Sequence, residues 1–393
     1  MKKTTPKIGF IAATLSLLMA FAASAAPIPL YDLYHRTNGV TYNELALTSV
    51  VYFSGAVSAL LFLGRISNHL GRKPVAFIVF ACATLSTIMF LDIDSAQPLI
   101  IGRFFLGLAC GLASSAIAAY VADTAPSHPK SLASIVISNS PFIGLTAGAL
   151  MSGALVEYAP HPRTLCYVVV FVGLAICAVL ITFSKETVQR QKGLIQSLRP
   201  RLLLPRSDKR RYPLAAANFL ATWAMGGFFQ AYGPSIAAQQ LGTLNTLMAA
   251  AVFSAYFLPG ILGSALTARL SPAQAQRHGM VFFTLAVLGL IVSMYTGSII
   301  SFLITSVIAG ASQGAVVTGS IRSLIINIDQ TERAGILSTI FATSYTGAAT
   351  TSLIAGQLSG YLSLFELILC YGGLAVIVCF ITLAFAKEPN TTP

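Results

Sequence analysis

Four charged residues sit where chemistry could use them: Asp32, Arg72, Arg103 and Asp123. Arg72 and Lys73 close the stretch Gly64-Arg65-Ile66-Ser67-Asn68-His69-Leu70-Gly71-Arg72-Lys73, a cationic turn between two long apolar segments. Gly64 lets two helices approach closely, and Gly71 permits a backbone conformation that other residues resist. Three cations on one glycine-framed turn suit a latch that holds one arrangement of helices and releases another. The plain alternative is a basic turn that only fixes orientation. Arg103 is the one basic residue deep in an apolar segment, where a charge is costly unless it meets a cavity or a partner. It fits an anion contact or a proton relay. It also fits a structural contact to backbone carbonyls, since five residues after Pro98 it is shallow enough to snorkel. Proton relay otherwise needs an acid, and no Asp or Glu stands at the centre of any apolar segment. The nearest are Asp32, in Pro29-Leu30-Tyr31-Asp32-Leu33-Tyr34-His35, and Glu44.

The elements that must hold these groups are membrane spans. The 393 residues are 55% hydrophobic and only 9% charged, far below the roughly 25% charged residues of soluble chains. Apolar runs between charged or Pro/Gly punctuation predict twelve spans, with cores at 8–30, 45–64, 74–91, 98–121, 132–156, 164–183, 213–234, 245–268, 278–296, 298–321, 334–359 and 364–386. Lys2, Lys3 and Lys7 before an apolar run, with Ala23-Ser24-Ala25 after it, resemble a cleavable leader. The run from Ile8 to Leu30 is nevertheless long enough to span, and it is read as a retained first helix.

Twelve spans place both termini on one side. With the termini and the even-numbered loops go 21 Lys and Arg residues; the other side holds only Arg36 and Arg163. That asymmetry makes the termini and even loops cytoplasmic, and it accounts for the net charge of +12 without nucleic acid. Lys130 and the 184–212 loop, with nine basic residues, belong to this side. The loop divides the chain into a six-helix bundle at 1–185, a basic linker at 186–211 and a second six-helix bundle at 212–393. Asp92, Asp94, Glu157 and Glu366 read as outer-loop charges.

A repeat runs through the glycines. At a shift of 203 residues Gly39 meets Gly242, Gly107 meets Gly310, Gly111 meets Gly314, Gly144 meets Gly347 and Gly153 meets Gly356. Parallel six-helix repeats around a central path follow from this. The spacings Gly107-x-x-x-Gly111 and Gly144-x-x-x-Gly148 are close-packing signals. The cysteines, at 82, 110, 166, 177, 370 and 379, form no CxxC pair and read as buried hydrophobes. The histidines, at 35, 69, 128, 161 and 278, all fall in loops, so neither a metal site nor a membrane-embedded enzyme is expected.

Twelve spans in a 6+6 order, a basic central loop and the Gly64–Lys73 turn between spans 2 and 3 resemble the major facilitator superfamily, an all-α membrane fold of two pseudo-symmetric six-helix bundles. The turn matches the family's Gly-x-x-x-Asp-x-x-Gly-Arg-Lys/Arg signature at Gly64, Gly71, Arg72 and Lys73, with Asn68 at the acidic position. Arg103 and Gly107 resemble a second signature, in span 4. Pro141, Gly144, Gly148 and Gly153 resemble the fifth-span signature of the drug/proton antiporter branch, without its Gly-Pro pair. The resemblance implies that Arg72 pairs with Asp123 to lock an outward-facing state. Asn68, bringing no charge to a partly positive helix end, weakens that latch. It also implies Asp32 as the proton-coupling acid, the alternative being a solvated outer-loop carboxylate.

The expected function is export of small organic molecules by alternating access, driven by a proton gradient and without a cofactor. The alternative is proton-coupled uptake of a sugar, amino acid or other small solute. No ATP-binding Gly-x-x-x-x-Gly-Lys-Ser/Thr motif occurs. A substrate cavity is expected at Tyr52, Asn139, Asn218, Trp223, Phe228, Gln230, Tyr232, Tyr256, Gln313 and Tyr345, few in charge and rich in aromatic groups. That suits a neutral or weakly charged amphiphile and suits a dianion badly. The partners are the small-molecule substrate and membrane lipid; the chain is expected to be a monomer in the cytoplasmic membrane.

Overall fold

The computed structural model describes residues 5–126, 131–200, 211–325 and 330–388, with the side chains of 5–7, 264 and 330–335 excluded. Lys2, Lys3, His128 and Lys130 lie outside the described residues, as do the side chains of Lys7 and Arg333 and the 201–210 part of the expected linker. Among the described residues every regular element is helical: α1 (Thr5–Ala25), α2 (Tyr31–Asn38), α3 (Tyr42–Ser58), α4 (Ser67–Leu70), α5 (Arg72–Met89), α6 (Ala96–Leu112), α7 (Ala118–Thr124), α8 (Leu132–Tyr158), α9 (Leu165–Phe183), α10 (Leu194–Ser197), α11 (Arg211–Gln239), α12 (Thr246–Phe257), α13 (Gly263–Leu266), α14 (Pro272–Thr296), α15 (Ile299–Ile325), α16 (Gln330–Leu358) and α17 (Leu364–Phe385).

Nine helical stretches among the described residues are long and apolar enough to cross a membrane. The helix Thr246–Leu262 is apolar but shorter. The two remaining crossings, α11 and α16, run 29 residues each. They fall short in hydropathy because Asn218 and Gln230 on α11 and a run of Ser and Thr on α16 break their apolar character. With these the chain has the twelve crossings of a multi-pass membrane protein.

The first crossing is longer than its apolar run. Pro27 and Pro29 mark its outer end in the sequence, yet the helical path continues to Asn38. Proline lacks an N–H, so Pro27 leaves the carbonyl four residues back without its helical donor and α1 stops at Ala25. A 3-10 turn at Ile28–Leu30, with proline in its first turn where no donor is needed, carries the chain into α2. Gly39, at φ 68°, ends α2 in the left-handed region. Asp32 therefore sits on a helix, 5% exposed, rather than beyond one.

The described residues form two compact units. One holds those up to Val40 and from Val51 to Pro200; the other holds Thr41–Val50 and the residues from 211 onward. Residues 186–200 of the expected linker thus pack with the first unit. The outer end of α3 packs with the second, where Tyr42 accepts a hydrogen bond from Gln239 and lies edge-on to Tyr232 at 6.2 Å.

The glycine repeat has the same physical meaning in both units. Lipid tails are as apolar as leucine, so helices associate in a membrane through close packing and hydrogen bonds. A Cβ placed on Gly107 would strike the Tyr52 carbonyl of α3; one on Gly310 would strike the Tyr256 carbonyl of α12. Gly111 lies against Ala56 and Gly314 against Gly260 in the same manner. Gly144 of α8 packs on Leu18 of α1, and Gly347 of α16 on Leu220 of α11. Gly39 and Gly242 both take left-handed φ, 68° and 67°. Side chains follow too: Cys110 reaches the Ala20 carbonyl at 3.5 Å, and Gln313, 203 positions later, reaches the Thr222 carbonyl at 3.3 Å.

Where α1 meets α8 in the first unit, Gly144 and Gly148 lie against the α1 backbone at Leu18 and Ala22, and elsewhere in that unit Phe90 packs on Tyr167 at 5.6 Å. The second carries an aromatic core in which Phe229 stacks on Tyr256 at 4.5 Å and Phe228 packs on Tyr371 at 4.8 Å. Gly297, at φ 66°, makes the tight turn between α14 and α15.

Candidate functional site

The 64–73 turn is built by two features of the sequence. A π-turn at Ala59–Leu63 ends the α3 crossing, and Gly71, at φ 103° and ψ 160°, breaks the chain between α4 and α5. The break sets Arg72 at the head of α5, and its guanidinium reaches back. Nε donates to Asp123 Oδ2 at 2.9 Å, and Nη1 donates to Asn68 Oδ1 at 2.9 Å and to Ser67 Oγ. Asp123, near the end of α7, also accepts from Thr187 Oγ1 at 2.9 Å. Arg72, Asn68 and Asp123 are therefore brought together, with the arginine side chain 12% exposed and the aspartate 32%.

The rest of the turn grips the segment that follows α9. Glu186 accepts the backbone N–H groups of Arg72 and Lys73 at 2.8 and 3.0 Å. Lys73 Nζ donates to the Thr182 and Ser184 carbonyls at the end of α9, at 3.0 and 2.9 Å. A cation there meets the negative end of a helix. Arg65 donates to the Ser197 and Arg199 carbonyls at 2.9 and 2.6 Å, and the Gln191 N–H donates to the Asn68 carbonyl at 3.3 Å. The three cations of the turn are all engaged, and two of them hold this segment rather than Asp123.

Glu186 is the partner of this turn that the sequence concealed. It lies in a loop dominated by its nine cations, although it is the one acid between residues 184 and 200. Partial burial pushes its pKa up, but donation by the N–H groups of Arg72, Lys73, Val188 and Thr187 outweighs this and holds the carboxyl below its usual range. A depressed folded-state pKa gives stabilisation that is present above the unfolded value, about 4.3, and lost as pH falls through the lower folded value. Protection of the Arg72 and Lys73 amides against hydrogen exchange is therefore expected to hold from neutral pH down to about 4 and to fall below it. Glu186→Gln should show the loss at every pH; wild-type protection in that variant would remove Glu186 from this role.

Arg103 lies inside the first unit, 0% exposed. Its Nη1 donates to the Ser24 carbonyl at 2.6 Å, at the broken end of α1, and its Cζ stands 4.4 Å from the centre of the Tyr52 ring. Ser152 bonds the Ala26 carbonyl at the same break, at 2.6 Å. Snorkelling, which the position after Pro98 allowed, does not occur. Asp32 pairs instead with Arg36, Nε to Oδ2 at 2.7 Å, and leaves Oδ1 buried without a partner. The structure does not bring Asp32 and Arg103 into an ion pair. Glu44 and Glu366 fold back on Thr41 and Ser363 to cap α3 and α17.

The cavity candidates separate into groups. Asn218 is spent in packing: it donates to Ser320 at 3.3 Å and accepts from Thr382 at 2.7 Å, beside a Gln276–Ser320–Ser323 network. Tyr256 and Gln313 both donate to the Thr222 carbonyl, at 2.9 and 3.3 Å. Phe228 and Tyr232 lie fully buried in the aromatic core, 5.5 Å apart. Gln230 is buried with Oε1 unpartnered. Trp223 meets Tyr345 edge-on at 4.8 Å, both half-buried, and the indole Nε1 has no partner. Asn139 is half-buried on α8. Among the described residues no group of His, Cys, Asp and Glu is placed to hold a metal.

Comparison with known proteins matches this arrangement. The profile of the Major Facilitator Superfamily fits residues 13–349. The multidrug resistance protein MdtL of Klebsiella pneumoniae subsp. pneumoniae is 27% identical over 150 residues, 38% of each chain. The bovine solute carrier family 2, facilitated glucose transporter member 4, is 41% identical over 93 residues, 22% of this chain and 18% of the relative. These curated relatives are thus matched over well under half of their length. Among solved structures, a mutant of the nucleoside transporter NupG superposes with a TM-score of 0.75 at 12% identity, covering 96% of this chain and 100% of the other. The xylose transporter XylE from E. coli, in a partially occluded inward-open conformation, gives 0.73 at 14% identity, with both chains fully covered. At those identities the structures speak for the fold alone, and the profile speaks for the family. With twelve crossings, an internal repeat of close-packed glycines and the Arg72–Asp123 turn, the chain belongs to the Major Facilitator Superfamily, a family of membrane transporters and not of enzymes.

Proposed function

We propose that this transporter exports small organic molecules across the cytoplasmic membrane in exchange for protons, with both termini in the cytoplasm. The observation that carries the reading is the Arg72–Asp123 pair at 2.9 Å, set on a turn at the basic face. Both partners lie within the first unit; in this reading the pair sets the shape of that unit's basic face and so biases one state of an alternating-access cycle over the other. The partial match to multidrug resistance proteins supports export. Asp32 is the proton carrier in this reading: it is buried, its partner Arg36 is half-exposed at 42%, and one of its carboxylate oxygens has no hydrogen-bond partner. The protein works as a monomer with no cofactor, the proton gradient supplying the energy.

Uptake is the second reading, favoured by the 41% identity to a glucose transporter over 93 residues. Inverted and right-side-out vesicles separate the two. Export predicts that an imposed proton gradient drives accumulation only in inverted vesicles. Asp32→Asn is expected to abolish proton-driven counterflow there while leaving passive exchange in place, because the amide is isosteric with the carboxylate and still accepts from Arg36. If the variant keeps the wild-type pH dependence, Asp32 is not the coupling group.

A further inference from the structure

Arg103 keeps an edge that neither the packing nor the proposed proton path uses. One nitrogen, Nη1, is spent on the Ser24 carbonyl, and one face of the guanidinium is covered by Tyr52. Nε and Nη2 are buried with no partner. These two nitrogens share one side of the guanidinium fork. Their N–H bonds run parallel at the spacing of two carboxylate oxygens, the geometry of a bidentate arginine–carboxylate pair. No acid takes this place: among the described residues the ion pairs are Arg36–Asp32 and Arg72–Asp123. The Ser24 hydroxyl, on the residue whose carbonyl Arg103 holds, is likewise buried and unpartnered. A full positive charge enclosed among helices without a counter-charge is costly, so its counter-charge comes with a ligand.

We infer that Arg103 binds the carboxylate of the transported molecule, with Tyr52 against the guanidinium face and Ser24 as an additional donor. The substrates of this chain are then monocarboxylates. A single cation favours a single negative charge, since the spans hold no second deep Lys or Arg. A flat two-nitrogen edge favours a planar carboxylate over a tetrahedral phosphate. The inference rests on the reading of the chain as a transporter, but not on the direction of transport.

The test uses the purified full-length chain in detergent and follows thermal unfolding. The probes are benzoate and hexanoate, their uncharged amides benzamide and hexanamide, and inorganic phosphate. Each acid is expected to raise the melting temperature by several degrees at saturation, in line with ligand linkage, while its amide does not. Arg103→Lys keeps the charge but loses the paired edge and should weaken the effect about tenfold. Arg103→Gln should abolish it. Ser24→Ala, which leaves the Ser24 carbonyl in place, should fold normally and weaken binding about threefold. Acids and amides acting alike would overturn the inference, as would an acid preference that survives Arg103→Gln or a phosphate effect equal to that of benzoate. Inward transport with acid preference intact would sink only the export reading; export without that preference would sink only the carboxylate site.

Discussion

Gly107→Ala and Gly310→Ala are each expected to leave little folded protein after detergent extraction. In both cases the added methyl meets a backbone carbonyl, that of Tyr52 or of Tyr256. A side chain could rotate aside, but a carbonyl inside a helix cannot, so the helices themselves must separate. Overpacking costs about 1–3 kcal/mol. With a rigid neighbour the upper end applies, which is roughly a hundredfold in the folded-to-unfolded ratio. Displacing α6 and α15 would also strain the hydrogen bonds these helices make to other neighbours, Cys110 to Ala20 on α1 and Gln313 to Thr222 on α11. Because the two glycines lie in different units and share no neighbour, their effects should add. Gly373→Ala is the control. Nothing lies within 4 Å of a Cβ there, so it should be neutral or stabilising by up to about 1 kcal/mol, the helix propensity of alanine over glycine. Size-exclusion profiles of the three variants decide the matter; a wild-type profile for Gly107→Ala would mean that this crossing does not hold the unit together.

Asp123→Asn is expected to reduce transport about fivefold by shifting the balance between conformations. Exposed ion pairs contribute about 0–1 kcal/mol. This pair falls at the upper end, because Ser67 and Asn68 already hold the guanidinium in place and little side-chain entropy remains to be lost. About 1 kcal/mol corresponds to a fivefold change in a two-state equilibrium. The amide still accepts from Arg72 and Thr187 but carries no charge, so the variant isolates the electrostatic part. Asp123→Glu should restore most of the activity. The Arg72→Gln/Asp123→Asn double variant should be no worse than the poorer single one, since both remove the same contact. Distances between spin labels on the two units report the populations directly. Unchanged populations in Asp123→Asn, with the protein folded, would show that the pair fixes topology only.

Arg72 and Asp123 stood out in the sequence because charge is rare in this chain and the apolar runs deliver both to the same face; their pairing was what the family resemblance implied, and the structure brings them to 2.9 Å. The twelve crossings and the 203-residue repeat were legible for a related reason: span length is set by bilayer thickness and close helix contact by glycine, and both leave linear traces. The helical setting of Asp32 was not legible, because proline usually marks a helix end. Here the 3-10 turn at Ile28–Leu30 carries the path onward, and that depends on Arg103 and Ser152 satisfying the carbonyls at the break. Asn218 and Tyr256 have the sequence signature of cavity residues because polar groups inside spans need partners. The structure supplies those partners from helices far along the chain, Ser320 and Thr382 for one and the Thr222 carbonyl for the other.

Sequence alone determined the membrane class, the number of crossings, the repeat and the residues of the basic turn, because each follows from composition and spacing along one dimension. Tertiary structure decided which buried polar groups are satisfied and which are left open. Arg103 and Ser24 stand 79 positions apart, and Glu186 stands 114 from Arg72. Only the packing of helices determines that the first pair leaves a guanidinium edge unpaired while the second closes the turn. Hydrogen bonding acts over about 3 Å, and no pattern along the chain encodes which distant carbonyl will come within that reach.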